Sequence, residues 1–154
     1  MVRFANIEDL TRINEIRKQV HKVHSDGRPD VFRSDFNEAL ENHIYTIWND
    51  QNSDVIVAER NGVICGFSVV SYVTKPLSPY SIERKYYNVV EFGVDENFRR
   101  QGIGTELFDF IKEQARDRGF HKIELDMWEF NESALKFYES VGFRTYRRYM
   151  DFDF

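Results

Sequence analysis

The sequence predicts an α+β fold: a mixed, mostly antiparallel sheet with helices packed on its faces. Two observations predict it. The elements read in the order β, α, α, β, β, β, α, β, α, β, with hairpin strands first and a β-α-β unit after them. The chain has 154 residues, which suits a single domain over residues 1–154 with one core.

Residues 2–6 read as a short edge strand, and Asn6 is placed to cap a helix whose first turn holds Glu8 and Asp9. Leu10, Ile13, Ile16, Val20 and Val23 recur at helical spacing, so the helix is expected to run to about residue 23. His24 to Asp30 is turn chemistry, and Ser34 is the expected cap of a second helix carrying Phe36, Leu40, Ile44 and Ile47 on one face. Val55–Ala58 and Val63–Val73, joined at Asn61-Gly62, read as a hairpin. Lys75 to Tyr80, with two prolines, is a loop, and Tyr86 to Val94 is a strongly apolar strand interrupted by Glu91 and Gly93. Residues 103–118 form a helix with Leu107, Phe108, Ile111 and Ala115 on its stripe and Gly119 just past its end. Lys122–Met127 is expected as a strand, Ser133–Ser140 as a short helix closed by Gly142, and Phe143–Met150 as a last strand.

Composition narrows the function classes. At 42% hydrophobic and 31% charged the chain reads as globular rather than disordered. Its 26 acidic against 21 basic residues give a net charge of −5, which argues against non-specific nucleic-acid binding. The single cysteine, Cys65, excludes an intrachain disulfide and a multi-cysteine metal site, and its apolar neighbours suggest an inert buried thiol. No apolar run approaches the roughly 20 residues needed to span a bilayer, and the first residues lack a signal-peptide core. A cytoplasmic protein without a membrane partner is the expectation.

The most informative segment is Val94-Asp95-Glu96-Asn97-Phe98-Arg99-Arg100-Gln101-Gly102-Ile103-Gly104-Thr105. A buried strand ends, a polar turn carries two arginines, and two glycines open a helix. Backbone N–H groups at a helix start lack intrahelical partners, and with the helix dipole they make an anion site. Arg99 and Arg100 can add charge-assisted contacts. A P-loop would need a lysine after Gly104, and a dinucleotide-binding Gly-x-Gly-x-x-Gly would need glycine where Leu107 stands. On spacing alone, glycines that merely ease helix–strand packing remain an open reading.

Arg99-x-x-Gly102-x-Gly104 resembles the (Gln/Arg)-x-x-Gly-x-(Gly/Ala) signature of the GNAT superfamily of N-acetyltransferases. Asn131-Glu132-Ser133-Ala134-Leu135-Lys136-Phe137-Tyr138-Glu139-Ser140-Val141-Gly142-Phe143 resembles the family's Asn-x-x-Ala-x-x-Phe-Tyr-x-x-x-Gly-Phe segment. The resemblance implies a central sheet of six to seven strands flanked by about four helices, with a splayed V between the fourth and fifth strands. It also implies acetyl-CoA as cosubstrate, held by Phe92, Val94, Arg99, Arg100, Gln101, Gly102, Ile103, Gly104, Thr105, Asn131 and Tyr138. The backbone N–H of Val94 would meet the acetyl carbonyl, Asn131 the pantetheine arm, and Tyr138 the departing thiolate. The implied reaction is direct acetyl transfer to a primary amine of a small molecule or protein through a tetrahedral intermediate. A non-catalytic acetyl-CoA-binding module and an acyltransferase for longer chains are the alternatives. Glu96 stands where family members often carry proline, which affects the rigidity of the turn.

A base for the amine is sought among carboxylates. Glu91 lies in an apolar run, where burial would push its pKa up towards a useful value. Asp126 occupies a strand position where some family members carry a glutamate, though with shorter reach. A structural salt bridge is the alternative for either. Gly93 marks a bulge or a close approach. On the acceptor side, His21 and His24 are three apart, but no cysteine or HExxH pattern supports a metal, and none is expected; the remaining readings are substrate-lining or a solvated helix end. Tyr72, Tyr80, Tyr86 and Tyr87 are candidate pocket aromatics. The final segment, ending Tyr149–Phe154, suggests a homodimer.

Overall fold

The computed structural model describes residues 1–154. Five strands form one sheet in the order of the chain: β1 (Val2–Phe4), β2 (Ser53–Arg60), β3 (Val63–Lys75), β4 (Arg84–Val94) and β5 (Ile123–Glu124). The first four are antiparallel to their neighbours, and β5 runs parallel to β4. The β2–β3 turn puts Asn61 at φ 50° and Gly62 at φ 78°, the pair of left-handed residues that a type I′ hairpin requires.

Helices cover both faces. On one lie α1 (Leu10–Gly27) and α2 (Glu38–Trp48). Leu10, Ile13, Ile16 and Ile44 meet Val55, Val57, Ile64, Phe67 and Val69 there in a closed apolar cluster. On the other lies α3 (Ile103–Asp117), whose Ile103, Leu107, Phe108, Ile111 and Ala115 pack on Ile56, Ala58, Val70, Tyr87 and Val89. α4 (Glu132–Ser140) follows on that side, its Phe137 meeting Phe92 at 5.5 Å between ring centroids. The alternation of strand side chains sorts residues between the two clusters: Val69 and Phe67 point to one face, Val70 and Val89 to the other.

The expected strand 122–127 contracts to Ile123–Glu124, and residues 143–150 form no strand, so the sheet has five strands rather than six or seven. The physical reason is the splay. Pairing of β4 with β5 stops at Tyr87↔Ile123 and Asn88↔Glu124, so residues 125–127 have no partner backbone. The segment after α4 is held by side chains instead, with Phe143 on Phe108 at 4.9 Å and Lys122 over the Tyr146 ring at 4.8 Å. Helix ends also shift. The first helix continues to Gly27, and the cap of the second is Asn37, whose side chain accepts from Leu40 N–H at 3.0 Å, in place of Ser34.

Candidate active site

β4 carries one extra residue against β3: Glu91 pairs with Val69 and Val89 with Val70, leaving Val90 as a bulge, half-exposed. The bulge sets which way the backbone points. Tyr87 N–H donates to Lys122 on the β5 side, whereas Asp95 N–H donates to Cys65 on the β3 side. These two residues are an even number apart and would point the same way in a regular strand. The bulge between them reverses the phase, so the N–H groups of Phe92 and Val94 face away from β3, into the gap where β5 has diverged. Gly93 is not the bulge; it is a close approach, where a Cβ would come within 2.8 Å of Val20 and 2.9 Å of Phe67.

The turn after β4 runs through a single 3₁₀ turn, Glu96–Phe98, to α3. Arg100 has φ 64° and Gly102, the N-cap of α3, φ 79°; no side chain caps this helix. In consequence none of the backbone N–H groups of residues 99–105 finds an acceptor in the chain. Gly104 serves packing instead. A Cβ there would lie 3.1 Å from the Phe137 ring, so its absence lets α4 dock. Arg99, Arg100 and Gln101 are exposed, Ile103 is buried, and Thr105 is exposed. Arg100 joins Glu132, Ser133, Lys136, Phe137 and Ser140 around a cleft of about 590 Å³ between this turn and α4.

The turn is pinned from behind by a buried acid that the sequence motifs do not single out. Asp95 accepts from Arg12 at 2.7 Å, Gln19 at 3.0 Å, and the N–H of Asn97 at 2.9 Å. Burial pushes its carboxyl up, but these bonds outweigh it and hold the acid below its ordinary range. Gln19 also accepts from Glu96 N–H at 2.9 Å, a bond that proline at this position would forgo. The Asp95-x-Asn97 pattern, typical of turns that bond their own backbone, was the available signal.

Asn131 caps α4, its side-chain oxygen accepting from Ala134 N–H at 3.2 Å, which leaves its amide nitrogen free. Tyr138 sits among Phe92, Phe137 and Phe143, with ring centroids 6.1, 5.4 and 5.6 Å away, and its hydroxyl bonds to no protein group. Burial pushes its phenol up to about 12. Phe92 and Tyr138 therefore lie on the α3–α4 side of the sheet.

Glu91 lies on the opposite, α1 side. Its two oxygens take Nη2 and Nε of Arg17 at 3.0 and 2.8 Å, and Arg17 itself is buried and bonded to Asn14 and the Leu40 carbonyl. An arginine on the apolar stripe of α1, four residues after Ile13, was the sequence signal for this pair. Asp126 is exposed and makes no ion pair, beyond the end of β5. His24 lies near Glu91, packed between aromatic rings; His21 is bonded to the Arg33 carbonyl at 2.7 Å. Tyr72 and Tyr87 pack in a cluster with Phe120, with Tyr87 hydroxyl on Asp54 at 2.5 Å, Tyr86 lies against Arg84, and Tyr80 is fully exposed.

No helix of the structure is long and apolar enough to cross a membrane. An uncharacterised N-acetyltransferase of Methanocaldococcus jannaschii is 34% identical over 92 residues, 56% of this chain and 37% of that protein. The chain thus spans little more than a third of that relative. The BH1408 protein of Bacillus halodurans, as a tetramutant, superposes with a TM-score of 0.95 at 30% identity over 100% of this chain and 99% of its own. The aminoglycoside N-acetyltransferase AAC(6')-Iy in complex with CoA reaches a TM-score of 0.77 at 19% identity, over 99% of this chain and 93% of its own, a likeness of fold. The model of the acetyltransferase (GNAT) family matches residues 17–143, and with most of the chain inside that match, this protein belongs to the GNAT family.

Proposed function

We propose that residues 1–154 act as one domain that moves an acetyl group from acetyl-CoA, the family's acyl donor, to a primary amine. One observation carries this reading: seven consecutive backbone N–H groups, residues 99–105, lack acceptors beside a gap into which the Phe92 and Val94 amides point. A pyrophosphate is the anion such a turn suits. The residues fit the cosubstrate further along as well. Arg100 and Lys136 against the single carboxylate of Glu132 leave the cleft a net positive charge that suits a phosphorylated nucleotide, and the free amide of Asn131 suits the pantetheine arm.

Acetyl-CoA, when bound, supplies a thioester carbonyl open to attack. The chain's part is electrostatic and positional. Val94 N–H is aimed to stabilise the carbonyl oxygen as charge builds on it. Tyr138 offers its hydroxyl to the sulfur. A phenol pushed up to about 12 holds its proton too tightly to give it freely to a thiolate whose acid titrates near ~8.5, so its role is a hydrogen bond to the leaving group. Glu91, with both oxygens on Arg17, braces the acceptor side. Asp126 stands free at the rim of the gap.

The acceptor, a small-molecule or peptide amine, enters from the α1–α2 face, because the α3–α4 face carries the groups assigned to the donor. A cytoplasmic setting belongs to the same reading, since the buried Cys65 thiol needs no oxidising compartment. A homodimer is included through the exposed Tyr149, Met150, Phe152 and Phe154, and light scattering that returned a monomer would remove it. The experiment for the main reading is thermal unfolding with and without acetyl-CoA, followed by CoA release across primary amines. Acetyl-CoA at 100 times its Kd should add about 2.7 kcal/mol, roughly 5 to 11 °C for a domain of this size. No shift at millimolar acetyl-CoA would refute the site.

A further inference from the structure

The α1–α2 side of the gap is bordered by an aromatic cluster that the donor site does not use. Phe32, in the connection between the helices, stacks on His24 at 5.4 Å and 24°. Trp128 meets Phe32 edge-on at 5.3 Å, and Phe130 meets His24 edge-on at 6.4 Å. Both belong to the segment that continues β5 beyond the splay. Gly27 is the socket that permits this: a Cβ there would come within 2.2 Å of the Phe130 ring. The end of α1 is thereby drawn across to the far arm of the V, with Arg28 over Trp128 at 5.0 Å.

His24 is the one group in this cluster able to exchange a proton near neutrality, and neither of its ring nitrogens bonds to the protein. The carboxylate on the same face is committed, since Glu91 holds Arg17 through both oxygens. We propose that His24 is the residue that takes the proton from the acceptor amine, beside the rings of Phe32, Trp128 and Phe130. This rests on the transferase reading above. In the step, the lone pair of a neutral amine forms the C–N bond at the acetyl carbon. The surplus proton on that nitrogen passes to the unprotonated ring nitrogen of His24, directly or through one water. The C–S bond breaks, and CoA leaves as a thiolate hydrogen-bonded by Tyr138 and protonated by solvent; His24 returns its proton to solvent.

The ring's surroundings keep it in the form such a step needs. Burial lowers its pKa, His21 one turn earlier on α1 lowers it further, and Glu91 on β4 opposes both. The other charged groups nearby are mostly matched: Arg28 with Asp30, Arg33 with Asp35, and Arg17 with Glu91. Asp126 and Glu129, on the segment that carries Phe130, are exposed.

The test uses the full chain, acetyl-CoA and four amines of different character: phenethylamine, spermidine, kanamycin and an alanine-initiated peptide. His24→Phe keeps a flat ring in the stack, and His24→Ala opens room for free imidazole. With the best amine, kcat/KM of His24→Phe should fall about 100-fold or more. The acidic limb of the wild-type profile, breaking below the ordinary histidine value of ~6.5, should vanish. Imidazole should restore rate to His24→Ala in proportion to its concentration, while the acetyl-CoA melting shift stays as in wild type. An active wild type whose His24→Phe variant keeps both rate and acidic limb would overturn the assignment and leave the transferase reading standing. A wild type that binds acetyl-CoA yet releases CoA with none of the amines would overturn both.

Discussion

Tyr138 and Arg17 show how one side chain serves this molecule in opposite ways. Tyr138 is held by rings on three sides with an unpartnered hydroxyl, so Tyr138→Phe removes the group proposed to bond the departing sulfur and nothing that bonds the protein. Its rate constant should fall about 10²-fold with the KM for acetyl-CoA nearly unchanged, a split that steady-state kinetics reads directly. Arg17 is buried beneath Glu91, and Arg17→Met leaves that half-buried carboxylate without the guanidinium that binds both its oxygens. Removing one member of such a pair costs about 3 kcal/mol. Urea unfolding should show it as a lower midpoint with an unchanged slope. Gly102 is simpler. A Cβ there meets nothing within 4 Å, so Gly102→Ala is resisted by the positive φ alone, by about 1 kcal/mol.

At the scale of elements, the geometry of the candidate site comes from a bulge in β4, the divergence of β5 and one clamp behind the turn. The bulge at Val90 turns the amides of Phe92 and Val94 into the gap, and the divergence of β5 after Glu124 keeps them unpaired. Behind the turn, Asp95 ties Arg12 and Gln19 of α1 to the residues that open α3. Asp95→Asn keeps the size but loses the charge that holds Arg12, so the turn should loosen. The expected result is weaker acetyl-CoA binding, by about tenfold, with α3 otherwise intact; calorimetric titration measures the first and circular dichroism the second. The helices themselves were plain in the sequence, because Leu107, Phe108, Ile111 and Ala115 or Leu10, Ile13 and Ile16 repeat with the period of a buried stripe. The expected last strand is absent for a clear reason. Residues 143–150 have strand-like composition, but a strand exists only where a neighbour offers backbone partners, and none does here.

For the whole molecule, the paired acids set the response to pH. Asp9 is buried, which raises its pKa, but Arg3 and the N–H of Asn6 reverse that, and Asp95 behaves alike. Both have folded values below their unfolded ones. Each therefore contributes stability that is complete above the unfolded carboxylate value near ~4 and is lost as pH falls through the folded value. His24 adds a contribution at higher pH: with its folded value lowered, stability declines as pH drops below its unfolded value of ~6.5. Melting temperature should thus slip first below about pH 6.5 and fall steeply below about pH 4. His24→Phe should remove only the first of these declines, which separates the two contributions.

The sequence by itself determined the helices, the Asn61-Gly62 hairpin, the glycine turn at 99–105 and the family to which they belong, because each depends on local periodicity or on residues adjacent in the chain. Gly102 takes its left-handed φ of 79° without the steric cost of a Cβ, and a helix start with no side-chain cap leaves backbone N–H groups without acceptors in any fold. Only the tertiary structure decided that Arg17 answers Glu91 across 74 residues, that Asp95 is braced from α1, and that Phe32, Trp128 and Phe130 gather around His24. It also decided where β4 and β5 part. Those are matters of which segments pack against one another, and no spacing along the chain encodes a contact between residues whose neighbours are set by the closing of a core.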